Sequence, residues 1–181
     1  MRAVVFLYTK DETMKVGDRL PETTLYEFID VATEGCSLGP NAVNSAAAAQ
    51  GKKIALFALP GAYTPACSAQ HLPGYIQAFD DFKAAGVDEI WCLSVNDAFV
   101  MGAWGRDQSA AGKVRMLADG SADFARAADL VLDLSAKGLG VRSQRYSAYV
   151  VDGEVRLLNL EGGGGYAVSD AATLLAQIRA L

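Results

Sequence analysis

The run Lys53-Ile54-Ala55-Leu56-Phe57-Ala58-Leu59 is apolar at every position after its lysine and stops at Pro60-Gly61. An apolar run of that length closed by a turn reads as a short buried strand. From Leu72 the apolar residues Leu72, Tyr75, Ile76, Phe79 and Phe82 recur at helical spacing, so the strand is followed by a helix with one buried face, and Gly86 ends it. Glu89 to Val95 reads as a second strand, Ala98 to Trp104 as a helix and Lys113 to Leu117 as a third strand. Strands alternating with helices are the mark of βαβ units. Further on, Tyr146 to Val151 and Val155 to Leu160 flank the turn Asp152-Gly153 and predict a hairpin, and a final helix is expected from Asp170 to Arg179.

Together these elements predict an α/β domain in which a central mixed β-sheet is flanked by helices: a parallel part, a closing antiparallel hairpin and a C-terminal helix. That is the layout of a thioredoxin-like fold. The 181 residues suffice for one core and are few for two, so a single domain over residues 15–181 is expected, with residues 1–14 as an arm outside it. Thr33 to Gly51, before the first of these strands, is polar and Gly-rich. Gly162 to Gly165 lacks the Lys-Ser/Thr that follows a phosphate-cradling loop, so it reads as a flexible loop.

Charge narrows the partners. Acidic residues outnumber basic ones 21 to 16, the formal charge is −5, and no Lys/Arg run is present, so nothing is available to displace counterions from nucleic acid or to bind an anionic membrane. The apolar run Ala3 to Tyr8 is too short for a signal peptide, and no stretch approaches the roughly 18 apolar residues of a membrane span, which predicts a cytoplasmic protein. The cysteines Cys36, Cys67 and Cys92 are few, odd in number and free of any CxxC spacing. That speaks against a disulfide framework, and with His71 as the sole histidine no metal site is expected.

One thiol sits where chemistry is favoured. In Pro60-Gly61-Ala62-Tyr63-Thr64-Pro65-Ala66-Cys67, Thr64 is placed as N-cap and Pro65 as first helical residue, which puts Cys67 in the first turn of the helix. Free backbone amides and the positive end of the helix dipole there favour thiolate over thiol, so its pKa should fall below the ordinary value of about 8.5. Read locally, Cys67 is either an activated nucleophile or an inert small hydrophobe.

Pro60, Thr64 and Cys67 together reproduce the PxxxTxxC motif of the peroxiredoxins, and PGAYTPACSAQHLPGY, VDEIWCLSVNDAFVMGAWG and DLSAKGLGVRSQRYSAYVVDG resemble the type II, peroxiredoxin-five-like branch. The resemblance covers about residues 15 to 181, and extends to plant type II and bacterial glutaredoxin-dependent members. It implies a thiol-dependent peroxidase that reduces hydrogen peroxide and alkyl hydroperoxides through a cysteine sulfenic acid, in antioxidant defence and redox homeostasis, without metal, haem or flavin. By the same resemblance Cys67 is the attacking thiol, Thr64 offers it a hydroxyl, Pro60 shields the pocket, and Arg145 brings a positive charge to thiolate and leaving oxygen. Arg142 competes for that last role, but its Gly-rich surroundings read as a loop carrying a solvated charge.

His71 lies one helical turn after Cys67, on the same face. The family uses no histidine base there, so a supporting, hydrogen-bonded role is expected. Pro73-Gly74 interrupts the same helix, and Pro73 cannot donate to the carbonyl of Ala69, so the turn carrying Cys67 should be weakly held and able to unwind for the reductant.

Members with an internal resolving cysteine carry it near the position of Val168, and this chain has none there. Cys92 resembles a thiol to which plant type II proteins owe a resolving role, but it also reads as packing in a buried strand, and a disulfide needs α-carbons within about 7 Å. The alternative is direct reduction of Cys67 by glutathione with glutaredoxin, or by thioredoxin. The resemblance further implies a homodimer, with Phe99 or Trp104 at its interface or in the core. A redox sensor or relay that passes oxidation to a protein partner would use the same pocket; turnover with a reductant separates the two. For an oligomeric scaffold the sequence offers no signal, and Cys36 carries no assigned role.

Overall fold

The computed structural model describes residues 12–35, 37–162 and 164–181. The run Ala3 to Tyr8, most of the expected arm and Cys36 lie outside the described residues. Among those described, no helix is long and apolar enough to cross a membrane.

Three parallel strands form the centre: β3 (Lys53–Leu59), β4 (Glu89–Ser94) and β5 (Arg115–Ala118). The hairpin β8 (Tyr146–Val151) and β9 (Glu154–Leu160) extends β3 antiparallel on one side. On the other side β1 (Thr24–Ile29) pairs antiparallel with β5 and with β2 (Gly39–Asn44), which completes a seven-stranded mixed sheet in the order β2-β1-β5-β4-β3-β8-β9. The fold is the expected thioredoxin-like α/β layout.

Successive side chains of the central strands point to opposite faces, and both faces are buried. Ala55, Phe57 and Leu59 with Ile90 and Cys92 join one core; Ile54, Leu56 and Ala58 with Trp91 and Leu93 join the other. The first core is covered by α2 (Leu72–Gln77), α3 (Phe79–Ala84), α4 (Ala98–Asp107) and α6 (Ala171–Arg179). The second is covered by Met14, Leu20, Ala49 of α1 (Ser45–Ala49) and Phe124 of α5 (Asp123–Ala127).

The polar stretch from Thr33 to Gly51 holds β2 and α1. β2 lies at the sheet edge and α1 is a single short turn capped by Asn44. Two expectations need correction. Between β5 and β8 a separate small hairpin forms from β6 (Val131–Leu134) and β7 (Gly140–Ser143), so Arg142 belongs to a strand rather than a loop. The helix after Cys67 is not broken at Pro73. It widens instead, with the π-helical turn Cys67–His71 closed by a bond from Leu72 N–H to the Cys67 carbonyl, and Pro73 sits in the first turn of α2 beyond it. Pro73 has no N–H to donate back into that turn, so the segment carrying Cys67 holds one backbone bond fewer.

Candidate active site

Sheet register brings the site together at the carboxyl ends of the parallel strands. β3 delivers the chain into Pro60, where the strand stops. The antiparallel match of Ala58 with Tyr146 sets Arg145, just before β8, beside the end of β3. The match of Tyr146 with Leu160 then sets Glu161, just after β9, opposite Arg145, and Glu161 N–H donates to the Arg145 carbonyl at 3.0 Å.

Cys67 is fully buried at the start of the π-helical turn. Arg145, itself buried, donates through Nη2 to Cys67 Sγ at 3.2 Å and places Nη1 2.9 Å from His71 Nδ1. The hydrogen bond to the sulfur among the described residues is therefore this one, from a guanidinium, rather than one from the amides of the first helical turn. Arg145 Nε is buried without a partner.

His71 does not pair with Cys67. Its ring is fully buried, with Nδ1 facing Arg145 and Nε2 3.1 Å from the Ser169 carbonyl. A guanidinium only donates and a carbonyl only accepts, so the imidazole is neutral with its proton on Nε2. Burial, and then the charge of Arg145, lower its pKa to about 3. Aromatic rings enclose the pair: Phe57 lies 4.8 Å from the His71 ring, and Tyr166 covers His71 at 5.1 Å and Arg145 at 5.9 Å.

Thr64 precedes the helix as expected, but its hydroxyl donates to the Gly61 carbonyl at 2.7 Å, not to Cys67 Sγ. The bond leaves a lone pair of Thr64 Oγ1 as acceptor. Pro60 opens the same loop. Asn96, which sequence reasoning missed, and Arg142, weighed there only as a competitor of Arg145, pin it: Asn96 Oδ1 accepts from Ala62 N–H at 2.9 Å, and Arg142 Nη1 donates at 3.3 Å to the carbonyls of both Pro60 and Val95. Arg142 is thus not the solvated charge expected, because β7 lays its side chain against the loop. A Cβ on Gly61 would come within 2.8 Å of Arg142 Nη1, so glycine is what permits the approach. Next to it Tyr63 holds a φ of 62°, rare for a bulky residue, with its hydroxyl on Asp107 at 2.7 Å. No sequence pattern marks Asn96; a Gly-Arg pairing across distant segments has no local signal at all.

Cys92 lies at the middle of the central strand β4, matched with Phe57 and Met116, and is fully buried and unpaired. Burial pushes its thiol well above the usual range, and a charge on Cys67 adds to that. Trp104 is a core residue whose indole donates to Ser68 Oγ at 3.0 Å, whereas Phe99 is 63% exposed and packs on Phe28. Among the described residues, no group of His, Cys, Asp and Glu is arranged to hold a metal ion.

A buried thiol, a cation on its sulfur and a donor of that cation left without a partner suit a reaction in which negative charge moves from sulfur to a departing oxygen. A family profile described as Redoxin matches residues 15–175. The chain is 46% identical to Peroxiredoxin-2B of Arabidopsis thaliana over 160 residues, 88% of this chain and 95% of that protein. It is 42% identical to chloroplastic Peroxiredoxin-2E of the same plant over 165 residues, 90% of this chain and 68% of that one. Among solved structures, reduced Prx3 of Vibrio vulnificus in complex with hydrogen peroxide is 44% identical, with a TM-score of 0.84 over 92% of this chain and 99% of that chain.

Proposed function

The chain belongs to the Redoxin family and is a peroxiredoxin, a thiol peroxidase that reduces hydroperoxides, and from that premise we propose that Cys67 is the thiol that attacks. The observation that carries the proposal is the 3.2 Å bond from Arg145 Nη2 to Cys67 Sγ. A cation there stabilises the negative charge that develops on the departing oxygen as the O–O bond breaks.

The step balances as follows. Cys67 thiolate attacks the terminal oxygen of ROOH, an S–O bond forms, the O–O bond breaks, and the leaving RO⁻ takes a proton to give alcohol or water. Sulfur is oxidised by two electrons to the sulfenic acid. In this reading Arg145 Nε, a buried donor without a partner, meets a peroxide oxygen, the lone pair of Thr64 Oγ1 accepts from the peroxide O–H, and Pro60 keeps solvent from the pocket. Two external thiols then return sulfenic Cys67 to the thiol, releasing water and their own disulfide. No bound cofactor has a part in this cycle.

The proposed reductant is glutathione with glutaredoxin, or thioredoxin, acting on Cys67 directly. Cys92 supports that reading, because it is fully buried in the middle of the central strand β4 and is not paired with Cys67. A homodimer is proposed on the exposed aromatic side chains Tyr26, Tyr63 and Phe99, which adjoin the active-site loop and α4. Sizing in solution tests the dimer. Consumption of hydrogen peroxide with glutathione and glutaredoxin tests the rest: Cys67→Ser should abolish it, and turnover with catalytic enzyme distinguishes a peroxidase from a redox relay.

A further inference from the structure

Glu161 is acidic, buried and not part of the reaction described above. Its Oε1 accepts four hydrogen bonds, from the N–H groups of Ala167, Val168 and Ser169 at 2.8, 2.7 and 2.8 Å and from Ser169 Oγ at 2.8 Å. Burial disfavours the carboxylate, but these bonds outweigh it and hold the pKa below the usual range. Such an anchor fixes the end of the glycine-rich loop after β9, and with it Ser169.

The Ser169 carbonyl is the acceptor for His71 Nε2 at 3.1 Å and for the Tyr75 hydroxyl at 2.9 Å. The path continues from His71 Nδ1 to Arg145 Nη1 and from Arg145 Nη2 to Cys67 Sγ. It also closes on itself, because Glu161 N–H donates to the Arg145 carbonyl. One residue therefore ties the Arg145 backbone to the loop that orients the partner of its side chain. Were the Ser169 carbonyl displaced, the buried Nε2–H would lose its acceptor, and the Arg145 donor at Nδ1 would be left alone to hold the proton on Nε2.

We propose that Glu161 is a positioning residue for the Cys67 site: by anchoring residues 167–169 it places the Ser169 carbonyl that locks the His71 tautomer, and the locked imidazole holds Arg145 on the sulfur. The consequence for peroxide rests on Cys67 being the attacking thiol; the consequence for His71 does not. Beyond the glycines, the amides of residues 167–169 wrap one carboxylate oxygen.

The test uses the fact that His71 is the sole histidine, so the ring nitrogens in a 15N spectrum report it without ambiguity. Wild type should show the neutral Nε2–H pattern. Glu161→Ala should lose it, with both ring nitrogens moving toward the averaged shifts of exchanging tautomers, and the rate of Cys67 oxidation by hydrogen peroxide should fall at least tenfold. Glu161→Gln keeps an acceptor oxygen at the same reach and should retain the pattern and stay within threefold of the wild-type rate. If Glu161→Ala does not fold, Glu161→Asp, one methylene short of the amides, should give the same loss. An unchanged His71 spectrum in the alanine or aspartate variant, or a lost tautomer with the oxidation rate within twofold, would overturn the proposal. Failure of the underlying reading shows separately, as peroxide consumption that survives Cys67→Ser while the His71 spectrum still answers to Glu161.

Discussion

Arg145 and His71 meet in a dry interior with the guanidinium as donor and Nδ1 of the imidazole as acceptor, 2.9 Å apart. A histidine held this way cannot take a proton without facing a buried cation. Its pKa of about 3 lies below the unfolded value of 6.5, so the unfolded chain binds more protons between those limits. The sign follows: stability should fall as pH drops from about 6.5 toward 3, by up to roughly 1.4 kcal/mol per pH unit from this group. Urea unfolding across that range measures it. His71→Gln should be less stable near neutrality and should flatten the slope; a slope identical to wild type would contradict the assignment.

Arg145 contacts the sulfur and the imidazole through two different nitrogens. Lysine has a single ammonium and cannot serve both sites, so Arg145→Lys should lower the second-order rate with hydrogen peroxide at least tenfold. Arg145→Ala should lower it on the order of 10²- to 10³-fold, the scale for losing one preorganised electrostatic donor. Because the charge of Arg145 lowers the His71 pKa, the alanine variant should also raise the His71 titration midpoint. Stopped-flow kinetics and histidine NMR read the two effects separately.

Full burial of Cys67 means that a protein reductant must wait for the turn to open. The π-helical turn and the proline after it leave fewer backbone bonds to break. Restoring them with Pro73→Ala and Gly74→Ala should slow reduction of sulfenic Cys67 several-fold and leave the peroxide step unchanged. The methyl added at Gly74 meets only ordinary contacts, 3.7 Å to the Tyr166 hydroxyl and 3.9 Å to Ala171 Cβ. A reductive rate equal to wild type would remove unwinding from the cycle.

Cys92 should matter to stability rather than to turnover. A hydroxyl placed in the middle of β4 has no free acceptor in its ladder, so Cys92→Ser should cost about 1–3 kcal/mol in unfolding. Turnover with glutathione and glutaredoxin should stay within twofold. A tenfold loss with the protein still folded would make Cys92 the resolving thiol.

The parts of this fold that the sequence made legible are those where one segment states its own case. The apolar run of β3, the PxxxTxxC spacing, the Asp152-Gly153 hairpin and the Asp170 cap of the last helix each carry a local signal. β2 was hidden because an edge strand with Pro40 needs few apolar residues. The shell around Arg145 was hidden for a different reason: the Ser169 carbonyl, the Pro60 carbonyl and the Glu161 anchor act through backbone groups, which every residue type possesses. Only sheet register, which pairs Tyr146 with Ala58 and with Leu160 and so sets Arg145 beside the end of β3 and Glu161 opposite it, brings them together.

The most direct test of the central claim is the intact mass of the reduced protein after one equivalent of hydrogen peroxide, taken without added reductant beside Cys67→Ser and Cys92→Ser. A fast gain of one oxygen in wild type and in Cys92→Ser, absent only from Cys67→Ser, is the predicted result. A loss of two hydrogens that needs both cysteines, or an oxygen gain that survives Cys67→Ser, would contradict it.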